Sequence, residues 1–183
     1  IIQATAACGF YFIMVMGLFD FSLGSNIVLS AIVGSICASA AGYPGLILGA
    51  VCCGALVGFI NGIIYIKLKI PSIIVTVGMM LLYECMASII SQGKLMGISR
   101  DLQAFASAPW NYILALTAFV LAFVILRYTK IGTYTYAIGS NESVAKNMGI
   151  RVDKYKVFAF AIYGVFVGIM SILTISYGSS VQA

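Results

Sequence analysis

An all-α, polytopic membrane helix bundle is the fold class this sequence predicts, on three observations. Of 183 residues, 62% are apolar and 8% charged, with a mean hydropathy of +1.10, whereas soluble domains carry about 25% charge. The charges are segregated: none falls in Ile1 to Phe19, in the 46 residues from Phe21 to Ile66, in Leu102 to Leu126 or in Val157 to Ala183. These tracts match the about 20 apolar residues a spanning helix needs, and the alternating ten-residue segments of a membrane barrel are missing. Helices satisfy their own backbone hydrogen bonds in lipid; open sheets do not.

Six spans are predicted, at 1–19, 25–41, 45–66, 71–91, 110–126 and 157–177. The first run is interrupted at Phe19-Asp20-Phe21-Ser22-Leu23-Gly24-Ser25. A carboxylate at bilayer depth costs roughly 2.5–3.5 kcal/mol on insertion scales. Asp20 is therefore read as capping a helix that restarts after a break, with Ser22 or Ser25 assisting, or as lining a polar path; the two roles are compatible. Gly42-Tyr43-Pro44-Gly45 is the turn that divides the 46-residue tract into two spans. In the third span, Gly54, Gly58 and Gly62 recur every four residues, a spacing that lets helix backbones approach closely. Asn61 sits beside that stripe. Pro71 pushes Ile70 out of helical geometry, so Lys67-Leu68-Lys69-Ile70-Pro71 is a tight turn. The fourth span carries Glu84 beside Tyr83, an intramembrane charge and so a candidate for a solute path or an interhelical bond. The stretch 92–109, with Gly93, Gly97, Arg100, Asp101 and Pro109, is the one sizeable loop on its side, and Trp110 and Tyr112 suit the membrane interface. The last span repeats the small-residue spacing at Gly164 and Gly168.

Between the fifth and sixth spans lies a water-facing insert, 127–156, with six of the ten Lys/Arg. Gly139 to Ile150 reads as a short helix with a cap at each end. Ser140 or Asn141 accepts from the first free amides. Glu142 lies at the positive end of the helix and Lys146 nearer the negative end. Gly149 takes the left-handed conformation that ends it, and Ile150 packs back. Val144, Ala145 and Met148 are expected on one face, offered to a partner. Alternating six spans puts Lys67, Lys69 and the insert on one side, eight Lys/Arg against two on the other, which makes the insert side cytoplasmic. The chain reads as one domain, 1–183, and as an internal piece of a longer protein.

Much chemistry is excluded. No phosphate-binding Gly-x-x-x-x-Gly-Lys-Ser/Thr loop is present, and the chain has no histidine. The five carboxylates are scattered, so no acid–base or nucleophile–base set is evident. Cys8, Cys37, Cys52, Cys53 and Cys85 lie in apolar tracts without metal spacing and read as packing residues. No catalytic residue, metal or bound cofactor is expected. The basic insert has no aromatic platform, which argues against nucleic acid as a partner.

Three blocks carry a further signal: Asp20-Phe21-Ser22-Leu23-Gly24-Ser25; Gly58-Phe59-Ile60-Asn61-Gly62 followed by Lys67-Leu68-Lys69-Ile70-Pro71; and Lys130-Ile131-Gly132, Tyr136-Ala137-Ile138-Gly139, Asn141-Glu142, Ala145, Gly149-Ile150 and Val152. In that order and spacing they resemble the membrane-spanning permeases of bacterial ATP-binding-cassette importers for simple sugars, the ribose-type branch. The resemblance implies a homodimeric permease in the inner membrane, with a solute path through the protein and a substrate-binding protein delivering a monosaccharide from outside. It implies ATPase subunits, carrying ATP and Mg²⁺, docked on a cytoplasmic coupling helix within 139–150. Asn141, Glu142, Val144, Ala145, Met148 and Gly149 would form that coupling contact, and Asp20, Ser22, Asn61 and Glu84 the path. Glu84 departs from the family pattern, where many members carry a basic residue. Nucleoside and branched-chain amino-acid permeases share a related loop. A reading of another class is an ion-coupled secondary transporter using Glu84 and Asp20.

Overall fold

The computed structural model describes residues 2–98, 104–178 and 180–181; Arg100 and Asp101, expected in the loop 92–109, lie outside them. The elements are α1 (Ile2–Val15), α2 (Leu23–Leu68), α3 (Ser72–Ser91), a two-residue strand β1 (Met96–Gly97), a 3-10 turn (Ala104–Ala106), α4 (Trp110–Tyr128), α5 (Lys130–Ser140), α6 (Glu142–Asn147), α7 (Val152–Gly178) and β2 (Ser180–Val181). The chain is thus a helical, multi-pass membrane protein. Of its helices, α2, α3, α4 and α7 are long and apolar enough to cross a membrane.

The expected segments 25–41 and 45–66 both fall within α2, which contains one non-helical residue, Gly42, at φ 64° and ψ −140°. Positive φ is cheap only for glycine, and Pro44 follows, so the predicted turn is a kink between two arms rather than an open loop. The expected span 1–19 is shorter as a helix, because α1 stops at Val15 and Gly17 takes φ +72°. The turn at Pro71 is as expected: Lys69 adopts a left-handed conformation, its N–H donating to Tyr65 O, and Pro71 opens α3.

The centre of the fold is the seam between α2 and α7. The two glycine rows face each other. A Cβ added at Gly54 would meet the backbone of Gly164 and, at 2.8 Å, Gly168 N; one at Gly168 would lie 2.7 Å from Val51 Cα, and one at Gly62 2.9 Å from Val157 Cα. Close backbone approach of this kind is how helices gain dispersion contact in lipid, where apolar burial alone gives little. Phe160 and Tyr163 of α7 are completely buried, and on another side of α7 Phe166 and Phe12 of α1 are buried in a cluster with Ala118 and Ala122 of α4. One end of the bundle is closed by the β1–β2 pair, in which Met96 faces Val181 and Gly97 faces Ser180. There Ser35 Oγ donates to Gly97 O at 3.0 Å, and Asn111 Nδ2 donates to Tyr177 OH at 2.5 Å. The opposite end carries Lys67, Lys69, α5, α6 and the start of α7.

Candidate functional site

The segment 16–22, between α1 and α2, is where the chain abandons helical geometry, and it is tied down by polar contacts. Asp20 Oδ1 accepts from the Ser22 amide at 2.7 Å and from Ser22 Oγ at 2.6 Å. Asn61 Nδ2, from α2, donates to Asp20 Oδ2 at 3.1 Å and to Ser22 Oγ at 2.8 Å. Tyr83 OH, from α3, donates to Asn61 Oδ1 at 2.7 Å. Two backbone amides left free by the break are taken up by α3: Phe19 N–H donates to Ser72 Oγ and Phe21 N–H to Thr76 Oγ1, each at 3.1 Å. Asp20, Ser22 and Asn61 are 3%, 0% and 0% exposed. A buried carboxylate with three donors is far cheaper than an unpaired one, since unmet polar groups carry the full desolvation penalty.

Three of the four residues expected on the path therefore come together. Asp20 does serve the restart of the helix, but through the Ser22 amide; Ser22 occupies the cap position of α2, and its own side chain makes no cap bond there. Glu84 does not join. It lies on the exposed side of α3, while its neighbour Tyr83 is 3% exposed and points inward. Among the described residues Glu84 has no hydrogen bond or ion pair. The residues missed were Ser72, Thr76 and Tyr83 as ligands of the break. Their spacing of four and seven along an otherwise apolar helix is one face, and that was the available signal.

Next to the Asp20 cluster, Ser30 Oγ donates to Asn26 Oδ1 at 3.0 Å. Asn26 Nδ2 and Tyr163 OH are buried without a partner.

The second candidate region is the insert. It holds two helices, not one. The first is α5, capped by Thr129, whose side chain accepts from Gly132 N. Its end presses on α1: a Cβ at Gly139 would strike the Val15 backbone, 2.9 Å from its carbonyl carbon. Ser140 is the last residue of α5, and Asn141 is the cap of α6, its Oδ1 accepting from Val144 N at 3.1 Å. The end of α6 is a double turn: Gly149 N–H donates to Lys146 O at 3.0 Å and Ile150 N–H to Ala145 O at 3.1 Å, with Gly149 at φ +84°. This is the Schellman arrangement that glycine permits, and Ile150 packs back into the cluster holding Ala145.

The expected face of Val144, Ala145 and Met148 is divided. Val144 and Met148, one turn apart, are 50% and 75% exposed, whereas Ala145 is 2% exposed. Ala145 belongs to an apolar cluster with Ile138 and Val152 of the insert side, Ile13 of α1, Met16 and Leu18 of the break and Phe160 and Tyr163 of α7. The three positions span about 100° of the helix circumference, with 148 between the other two, and the packing places the boundary of the buried side between 148 and 145. Glu142 reaches back to α7, with its Oε2 2.8 Å from Lys156 Nζ.

The family model described as "Branched-chain amino acid transport system / permease component" matches residues 1–183. The chain is 31% identical over 192 residues to the ribose import permease protein RbsC of Haemophilus influenzae, covering 99% of this chain and 59% of that protein. It is 31% identical over 175 residues to the autoinducer 2 import system permease protein LsrC of Yersinia pestis, covering 91% of this chain and 50% of the relative. The chain thus spans about half to three-fifths of the length of these relatives. No solved structure matches.

Proposed function

Because the chain belongs to the permease-component family of branched-chain amino acid transport systems, we propose that it is the membrane-spanning part of an ATP-binding-cassette importer for a monosaccharide or a similarly small polyhydroxylated solute. Similarity to permeases named for ribose and autoinducer 2 import supports that solute class over a nucleoside or an amino acid. In this reading the arms of α2 on either side of Gly42 are separate crossings, and α1 with the break completes six spans. The insert 127–156 is cytoplasmic, the membrane is the bacterial inner membrane, and a second copy completes the path. The chain itself is not an enzyme and binds no cofactor; ATP and Mg²⁺ belong to a separate ATPase chain, and a binding protein delivers solute on the far side.

The observation that carries this reading is mechanical. α6 exposes Val144 and Met148 while its adjoining flank, at Ala145, is seated in the same apolar cluster as Met16 and Leu18 of the break. An apolar helix face laid in a partner's groove is a common recognition mode. Pressure on it is delivered to the segment that holds Asp20. Because packed clusters switch between discrete arrangements rather than deforming continuously, closure of the ATPases would tip the break and the arms of α2 and α7 together. Asp20, Ser22 and Asn61 act as the polar hinge bordering the path, and Glu84 faces the path or the second copy.

Co-purification from the native membrane tests this. An associated ATPase and a binding protein charged with a small sugar are expected. A permease that purifies without nucleotide-hydrolysing subunits, yet takes up solute on a proton gradient alone, would belong to the ion-coupled class.

A further inference from the structure

The coupling helix is fastened to the transmembrane bundle by one buried cation. Lys156, in the first turns of α7 and the last residue of the insert, has a side chain only 7% exposed although it is charged. Its Nζ donates to Glu142 Oε2 at 2.8 Å, at the start of α6, and to Tyr65 OH at 3.4 Å, near the end of α2. The same ammonium sits 5.5 Å from the centroid of the Tyr65 ring, and that ring lies 6.0 Å from the ring of Phe160 on α7. A buried lysine without partners is strongly disfavoured; here one carboxylate, one hydroxyl and one aromatic face compensate it. Three elements, α6, α7 and α2, therefore meet at Lys156.

The position matters as much as the bonds. Tyr65 is one helical turn from Asn61, the residue that bonds Asp20, Ser22 and Tyr83. Above Tyr65 the two helices run together along the glycine seam at Gly62, Gly58 and Gly54. Ala145 supplies an apolar seat for α6, a non-directional contact. The ion pair is directional, and it holds the end of α6 opposite to the glycine-terminated one.

We propose that Lys156 is a positioning residue for energy coupling: the Glu142–Lys156–Tyr65 link makes α6 move as one body with the cytoplasmic ends of α2 and α7, so that ATPase motion reaches the Asn61–Asp20 cluster instead of being absorbed in the insert. This rests on the importer reading above. It also gives Glu142 an inward task, distinct from the outward contact of Val144 and Met148.

The full-length permease with its ATPase, in lipid nanodiscs, is treated with ATP, Mg²⁺ and orthovanadate. Backbone amide exchange is then followed by mass spectrometry in peptides covering 140–149 and 62–71. In the unaltered complex both peptides change on trapping. Lys156→Met keeps the change in 140–149 and reduces the change in 62–71 about fivefold or more, the size of ordinary coupling between sites. Lys156→Arg retains it. Glu142→Gln reduces it as well, and adding Glu142→Gln to Lys156→Met produces no further loss, as expected of two partners in one link. Undiminished transmission to 62–71 in Lys156→Met, or losses that add in the double variant, overturns the proposal. Should Lys156→Met fail to assemble, Glu142→Gln, altered at a half-exposed side chain, decides by the same readout. If the unaltered protein carries no ATPase, or 140–149 ignores nucleotide, the importer reading itself is what has failed.

Discussion

The α2–α7 seam and the outer side of α3 and α4 treat the same membrane in opposite ways. In α7, 61% of the most apolar stretch is buried; in α3 and α4 the shares are 22% and 17%. At the seam, backbone meets backbone at glycines, and the nearby carboxylate, Asp20, is served by Ser22 and Asn61 inside the chain. On the outer side, Leu81, Leu82, Ile89, Leu116 and Phe119 are all more than half exposed. The carboxylate there, Glu84, has no partner among the described residues. Apolar side chains facing lipid need no explanation, but an intramembrane carboxylate does. The difference teaches that the two carboxylates are treated oppositely: Asp20 is supplied with donors from inside the chain, whereas Glu84 is left on an exposed side of α3, which in the proposed reading faces a second copy or a hydrated path.

Substitutions can break or sharpen that contrast. The largest effect on folding is expected at the seam. Gly164→Val drives a side chain into the Gly54 carbonyl and Ala55 Cα, 3.1 Å from the added Cβ, and overpacking of this kind costs about 3 kcal/mol. Thermal unfolding of the purified protein should show a clear fall in midpoint; an unchanged midpoint in Gly164→Val would mean the seam is looser than it looks. Next comes Asn61→Leu, close in volume but unable to bond. It leaves Asp20 short of a donor and Tyr83 OH without its near partner, costing about 2 kcal/mol, read in the same assay.

Tyr83→Phe removes the hydroxyl that donates to Asn61 Oδ1 at 2.7 Å and, more weakly, to Val57 O at 3.5 Å, and keeps the ring, so about 1 kcal/mol is expected. The smallest effect on folding is predicted for Glu84→Gln, within about 0.5 kcal/mol, because the side chain touches nothing that the fold needs. Uptake by the full transporter should nevertheless change, since the charge on an uncovered face is lost. If Glu84→Gln destabilises as much as Asn61→Leu, the contrast between the two carboxylates is gone.

At the insert the two sides of α6 differ in the same sense. Ala145→Asp puts a charge in the cluster with Met16 and Phe160 and should lower protein yield. Val144→Asp alters only an exposed position, and is expected to leave yield intact while abolishing ATPase association in co-purification. Normal association and uptake by Val144→Asp would remove the outward face from consideration.

How much was legible depended on which force decided each feature. The kink at Gly42-Tyr43-Pro44, the turn at Pro71, the cap at Asn141 and the left-handed Gly149 follow from local backbone chemistry, and short residue strings suffice to read them. The matching glycine rows were visible as spacing, although nothing local said that they would face each other. The break at Asp20 was visible as a charge in an apolar run; its anchors on α3 were not, because Ser72 and Thr76 lie more than fifty residues away in sequence and look like ordinary small polar residues. α5 escapes a sequence reading because Lys130 to Ser140 has glycine and threonine in place of strong helix formers, and its support comes from packing against α1, α4 and α7.

Composition and charge segregation determined a membrane-spanning helical chain, and the local signals at Asn141 and Gly149 determined the capped ends of α6. Rotation of each helix about its own axis was left to the tertiary structure. It is tertiary packing that turns Tyr83 inward and Glu84 outward, seats Ala145 while presenting Val144 and Met148, and brings Glu142 to Lys156. The physical reason is that helices apolar on nearly every face carry no periodic signal for their own rotation. Close backbone approach and a few buried hydrogen bonds, which exist only once the helices have met, decide it.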